Sequence, residues 1–410
     1  WEANYASVSV TLGVVVAVVY VAWYGAGLRV AHTFAEYVSF ISLIGSLFVV
    51  TGGIHIGVQG RATPTENVVV LALAAVLANI LGTTGASMIF IRPFLRMNRS
   101  RFQAYHGVFF IFLVSNIGGA LTPIGDPPLF LGFLKGVDFF WTVTHMFWPM
   151  VFIVGALLAI YLALDTWLYR DDLARGLKRD PTPDSPLRIE GGVNFLLLAL
   201  VVGVVLASGL WKSGVQIEVF GQRLSLEGLL RDAAFLVLAA ISLAVTPKAT
   251  RKANQFGWAP IAEVAKLFFG IFITMAPVLL MLKAGTAGAF APLVRLVTDA
   301  QGQPVDGAYF WLTGALSSFL DNAPTYLVFF NLAGGDAQVL MTTMASTLTA
   351  ISAGAVFMGA NTYIGNAPNF MVKAIAEERG IAMPSFFGYM LWSGALLIPL
   401  FVAMTFIFFR

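Results

Sequence analysis

Apolar runs of about 20 residues recur from one end of this chain to the other, and nothing else in the sequence limits the fold as much. A helix needs roughly that length to cross a bilayer core of about 30 Å, whereas a barrel strand is about half as long and alternates in polarity. The pattern predicts an all-α polytopic membrane protein. Composition agrees, because 58% of the residues are hydrophobic and 11% charged, against roughly 25% charged in soluble domains. The formal charge of +3 is too small to point to nucleic acid. With no cysteine, the chain has no disulfide, thiolate nucleophile or cysteine metal site. No HExxH, GxSxG or P-loop pattern supports an enzyme.

Apolar windows place spans near 7–28, 36–57, 143–168, 194–210, 229–247, 267–290 and 386–408. Four further segments, 65–91, 103–134, 309–331 and 340–379, are apolar but interrupted. Crossing at each full span gathers the loops 59–66, 92–101, 170–192, 248–266 and 373–384 on one face. Those loops hold 16 of the 24 lysines and arginines, so the positive-inside rule turns that face to the cytoplasm of a multi-pass protein of the cell inner membrane. The first apolar run, Val8 to Trp23, lacks a basic flank and a small-residue cleavage site, so it does not read as a signal peptide. Numbering opens at Trp1, and an N-terminal piece is expected to be missing.

The two halves overlay at an offset of 240. Thr122-Pro-Ile-Gly-Asp-Pro-Pro-Leu-Phe130 matches Thr362-Tyr-Ile-Gly-Asn-Ala-Pro-Asn-Phe370 at five of nine positions, with Asp126 opposite Asn366. About forty residues upstream, Ile80-Leu-Gly-Thr-Thr-Gly85 and Phe319-Leu-Asp-Asn-Ala-Pro324 form a second pair at an offset of 239. The first broken segment leaves a basic loop and the second ends at one, so they are expected to enter from opposite faces. Two inverted-topology repeats with discontinuous helices are a construction of secondary transporters. The expected organisation is N-terminal scaffold spans (1–62), a first repeat (63–169) with a re-entrant hairpin (65–91), a broken helix (103–134) and a closing span (143–168). A cytoplasmic linker (170–192), scaffold spans (193–300) and a second repeat (301–410) follow, the last with its hairpin (309–331), broken helix (340–379) and closing span (386–408).

Pro123, Pro127 and Pro128 remove three amide donors, and the backbone they leave open survives at membrane depth only around a cavity or inside protein. Asp126 and Asp321 are the acids embedded in these interruptions. A carboxylate at the bilayer centre costs about 2.5–3.5 kcal/mol on insertion scales, so both are candidates for ion or proton coupling. Capping a half-helix is the alternative role, well suited to Asp126 and Asn366 and less to Asp321, which has no acid opposite it. Asn116, Thr122, Gly125, Asn361, Thr362, Gly365 and Asn366 near the breaks, with Thr83, Thr84 and Asn322 at the hairpin tips, are the candidate ion- or substrate-binding residues. Their oxygens suit sodium, for which Asp126, Asp321, Asn116 and Asn361 are the candidate ligands. No other cofactor is expected. Asp165, Asp232 and Glu36 are expected near span ends in reach of solvent or headgroups, and His55, His106 and His145 at the interface.

At these residues the chain resembles the ion-transporter superfamily, with NhaD-type sodium/proton antiporters and the related citrate-transport group as the nearest look-alikes. The carrying stretches are Ser115–Pro128, Leu320–Pro324 and Gly359–Asn369. The resemblance implies a scaffold part, a transport part with two re-entrant hairpins and two broken helices, and a homodimer moving by an elevator-like shift. It departs at the first tip, where antiporter relatives carry Asp-Asn and dicarboxylate carriers Ser-Asn-Thr, but this chain has Gly82-Thr83-Thr84. Sodium/proton antiport is the leading expectation, and sodium- or proton-coupled uptake of citrate or a dicarboxylate the second. Arsenite export is weaker. An intramembrane aspartyl protease has least support, since Asp126 lacks the glycine two before its Gly-Asp and Asp321 follows leucine.

Overall fold

A computed structural model of the protein describes residues 5–59, 63–99, 101–174, 185–219, 221–284 and 287–409. The expected linker falls partly on 175–184, outside the described residues. Among the described residues seven helices are long and apolar enough to cross a membrane, and the chain is an all-α polytopic membrane protein. Its helices are α1 (Tyr5–Ala22), α2 (Gly27–Thr51), α3 (Pro64–Met97), α4 (Ala104–Leu113), α5 (Pro127–Leu134), α6 (Phe139–Ala174) and α7 (Val193–Leu210). They continue as α8 (Leu226–Val245), α9 (Lys248–Ala253), α10 (Ala259–Lys283), α11 (Ala291–Val297), α12 (Asp306–Phe319) and α13 (Asn322–Leu332). The last four are α14 (Ala337–Met341), α15 (Ala345–Met358), α16 (Ala367–Glu377) and α17 (Phe386–Phe408).

Several boundaries move from their expected places, each for a local reason. The spans expected at 7–28 and 36–57 are α1 and α2, separated by a turn in which Gly25 takes φ 59°. A hydropathy window reads across that turn because Trp23 and Tyr24 are apolar. The span expected at 267–290 begins at Ala259, where Pro260 supplies a first-turn residue with no amide to satisfy. The second broken helix begins at Ala345, with α14 a separate short turn before it.

One of the seven long helices does not run straight. Gly82 leaves the helical region of α3 with φ 73° and ψ 152°, and Asn67 and Asn98 exchange two side-chain hydrogen bonds of 2.9 and 2.8 Å. A straight helix would hold those two residues about 46 Å apart at 1.5 Å per residue. The element is therefore a helical hairpin with Gly82 at its tip. Glycine is required there because the backbone is left-handed and the tip packs on the Ile124 carbonyl.

The basic loops converge at one end of the molecule. Strand β1 (His55–Gln59) pairs antiparallel with β2 (Ser185–Glu190). Arg96 donates to the Ile56 carbonyl (2.7 Å), Arg92 to Gln255 Oε1 (3.2 and 3.1 Å), and His55 Nδ1 meets Asn254 Oδ1 at 3.2 Å. Leu95, Arg96, Arg99 and 102–104 share a cleft with 379–382 at the same end. The start of α6 meets the end of α14: the Trp141 indole donates to the Met341 carbonyl at 3.0 Å.

Two sequence readings are corrected here. Asp165 does not meet solvent: it is fully buried and accepts from Asn67 (2.9 Å), Tyr105 (2.6 Å) and Arg101. His106 is likewise fully buried, with Nε2 3.9 Å from Asp165. The acid ties the first foot of the hairpin, the loop beyond its second foot and the start of α4 to α6, an arrangement that needs partners from residues 67, 101 and 105 and is invisible to a hydropathy window.

Candidate functional site

The site is built from two broken segments and two hairpin tips. In the first broken segment α4 ends at Leu113, a single 3-10 turn spans Ile117–Gly119, and the chain turns through 120–125 to an extended Asp126 (φ −140°, ψ 142°) before α5 resumes. In the second, α15 ends at Met358, a 3-10 turn spans Gly359–Asn361, and Asn366 precedes α16. Gly125 packs directly on the Gly119 carbonyl, and Gly365 on that of Gly359, so in each loop a side chain would collide with backbone.

Each tip docks on its loop through the same pair of bonds. The Thr83 amide donates to the Gly125 carbonyl at 2.7 Å, and the Asn322 amide to the Gly365 carbonyl at 3.2 Å. Thr122 Oγ1 donates to the Asn79 carbonyl at 2.5 Å, and Thr362 Oγ1 to the Ser318 carbonyl. Donor and acceptor recur at the 239–240 offset found in the sequence. The unwound backbone is thereby bonded inside protein, as hydrocarbon requires.

At the centre lies Asp126, 1% exposed. Its Oδ1 accepts from Thr83 Oγ1 (2.8 Å) and Asn366 Nδ2 (3.0 Å), and its Oδ2 from Asn322 Nδ2 (2.5 Å). One carboxylate thus holds side chains from both hairpin tips and from the opposite loop. Asp126 occupies the N-cap position of α5, yet makes no capping hydrogen bond, and Asn366 makes none to α16. Pro127 and Pro128 have removed two of the amides a cap would serve, and the side chain turns inward instead. Three donors to one charged group, each worth about 1.5–3 kcal/mol, offset the cost of burying it.

Asp321 behaves differently. It is partly exposed, and its Oδ1 accepts from the Ala323 amide at 3.0 Å, a true N-cap of α13. The reading that made capping more fitting for Asp126 than for Asp321 is reversed. Asp321 lines a cleft with Thr84 and Asn366, facing Pro260 and Ile261 of α10, and its side chain bonds the Ala323 amide and not Asp126.

Around this centre the remaining candidates divide. Asn116 Nδ2 donates to Asn369 Oδ1 (2.7 Å) and the Ile111 carbonyl (2.9 Å), while Asn361 Nδ2 donates to Ser318 Oγ (2.9 Å). The Oδ1 atoms of Asn116, Asn322 and Asn361 are buried without a hydrogen-bond partner. Sequence reading missed Asn369, which also donates to the carbonyls of Gly359 (2.8 Å) and Thr362 (2.9 Å). It sits opposite Leu129 at the repeat offset, so comparison of the halves hid it, although it lies within the motif that carries the resemblance. Asn79 and Ser318, the loop anchors, were also missed. They too occupy equivalent positions, and the shared offset was the available signal.

The region holds oxygens from carboxylate, amide, hydroxyl and backbone, which suit hard cations and protons, and among the lining residues named above no lysine, arginine or histidine. No curated protein matches the chain. A family model described as "Putative citrate transport" matches residues 1–409. The chain therefore belongs to that citrate-transport family, as a multi-pass membrane transporter whose matched region takes in both broken segments and both tips.

Proposed function

We propose that the chain is a secondary active transporter in which Asp126 exchanges a sodium ion for a proton. The observation that carries this reading is the convergence of Thr83, Asn322 and Asn366 on the Asp126 carboxylate. A carboxylate so enclosed has two chemical options, to hold a proton or to neutralise a cation, and alternation between them is the least machinery that antiport requires. The unpartnered oxygens of Asn116, Asn322 and Asn361 would complete an oxygen shell for sodium, the transported ion. Asp321, at the cleft between α13 and α10, would draw cations toward the site. Opposite orientation of the two repeats is supported by their ends: α4 starts, and α16 finishes, beside the cleft at the basic end. We place that end in the cytoplasm on the strength of its arginines and lysines.

A second reading, sodium- or proton-coupled uptake of a carboxylate, is favoured by the description of the matching family. The site then has to hold an anion on the open amides of α5 and α16 with no cationic side chain among the residues named above. Transport in proteoliposomes separates the two. An imposed sodium gradient moves protons in the wild type and not in Asp126→Asn if antiport holds. Citrate uptake without any sodium-driven proton movement makes the carboxylate reading correct instead.

A further inference from the structure

The basic loops do more than mark a face of the membrane. Leu95, Arg96, Arg99 and 102–104 at the foot of the first hairpin, with 379–382 beyond α16, enclose a cleft of about 750 Å³, within the range of small-molecule sites (about 300–1,000 Å³). Arg96, Arg99 and Arg379 line it together with Phe102, Gln103 and Ala104, and no acid does so among the described residues. These guanidiniums come from elements some 280 residues apart in sequence, brought together by the fold. Positive-inside bias asks for basic loops and not for their convergence. Arg379 lies within electrostatic reach of both Arg92 and Arg96, and the acid nearby, Glu378, reaches Arg92 from outside the lining. The Arg96 Nε is buried without a hydrogen-bond partner. Gln103 and Ala104 begin α4, whose first amides have no acceptor within the helix and carry the positive end of its dipole.

Three like charges held around one cleft repel each other at a cost that a bound anion removes. Guanidiniums in such a group match the planar oxygens of phosphate or carboxylate. We propose that this cleft binds an oxyanion carrying two or more negative charges, at the basic end of the molecule and apart from the Asp126 site. The occupant bridges the first hairpin to the end of the second broken segment. The proposal stands whichever substrate is transported, since it concerns binding and not transport. Free phosphate-type anions and an anionic lipid headgroup share the required chemistry.

The test uses the full chain in detergent with inorganic pyrophosphate as the probe, read by titration calorimetry. Arg99 and Arg379 are exposed and have no side-chain hydrogen bond or ion pair among the described contacts, so Arg99→Gln with Arg379→Gln should leave the fold intact. We expect the double variant to weaken pyrophosphate binding at least tenfold, while Arg223→Gln, in the strand Gln222–Ser225, leaves it unchanged. A second arm extracts both proteins from bilayers containing phosphatidylglycerol and counts retained lipid by native mass spectrometry. Retained lipid that disappears in the double variant identifies a headgroup as the occupant; loss of pyrophosphate binding alone identifies a free anion. The proposal is overturned if neither measurement responds to the double variant, or if Arg223→Gln lowers both as much.

Discussion

The two broken segments share a backbone and differ in charge. Both unwind after one 3-10 turn, both seat a glycine on the carbonyl six residues earlier, and both receive an amide from their own hairpin tip. At the equivalent central position one carries Asp126 and the other Asn366, and the amide donates to the acid at 3.0 Å. The tips differ in the same sense, with the Thr83 hydroxyl on one side and the Asn322 amide on the other. The two loops match in backbone, and a single carboxylate makes them chemically unequal. A pair of acids so close would share a proton and repel when ionised. One acid with an amide twin can be charged, protonated or cation-bound without a second carboxylate at the matching loop position.

The sharpest way to break the comparison is to remove its charge. Asp126→Asn makes the two loops alike and should reduce sodium-driven proton movement in proteoliposomes by at least about 100-fold, as expected when a proton-transferring group is lost. Retained coupling would show that the charge asymmetry is incidental. Next come the donors. Thr83→Val and Asn322→Leu each delete one hydrogen bond to a buried charge, about 1.5–3 kcal/mol. Sodium dependence measured on each variant should shift by roughly 10- to 100-fold, and similar shifts from the two tips would show that they serve the carboxylate equally.

The loops themselves offer a test of equivalence. Gly125→Ala and Gly365→Ala each press a methyl group into a carbonyl oxygen, and overpacking of this kind costs about 1–3 kcal/mol. Thermal unfolding in detergent should fall by comparable amounts in both; stability unchanged in one would mean that its loop is not held as the other is. The smallest effect is expected at Asp321→Asn. Asparagine caps about as well as aspartate, so stability should change by only a few tenths of a kcal/mol, and initial transport rates should fall only several-fold. Complete loss of transport with normal stability would give Asp321 the coupling role proposed here for Asp126.

Much of this arrangement was legible before any coordinates. The first break read from Pro123, Pro127 and Pro128, which cannot continue a helix, the second from the polar stretch that opens at Asn361, and the Gly125 and Gly365 equivalence followed from the offset. Local chemistry dictates such features, so local sequence reports them. Boundaries such as the start of α10 at Ala259 did not read correctly, because hydropathy averages over capping detail. Asp165 was misplaced for a related reason: proximity to the end of an apolar run predicts exposure, but four residues from three other segments cover it. The opposite roles of Asp126 and Asp321 were also hidden, since both precede a half-helix and only side-chain direction separates them.

The sequence alone determined that this chain crosses a membrane repeatedly, that its backbone must open at two matched places, and that few acids sit there. Those conclusions follow from transfer energies and from the covalent limits of proline and glycine, which act residue by residue. Tertiary structure decided which acid is enclosed, which merely caps a helix, and which arginines share a cleft. Such outcomes depend on side chains 40 to 280 positions apart meeting within hydrogen-bond or Coulomb range, and no local rule encodes a distance between residues that only folding brings together.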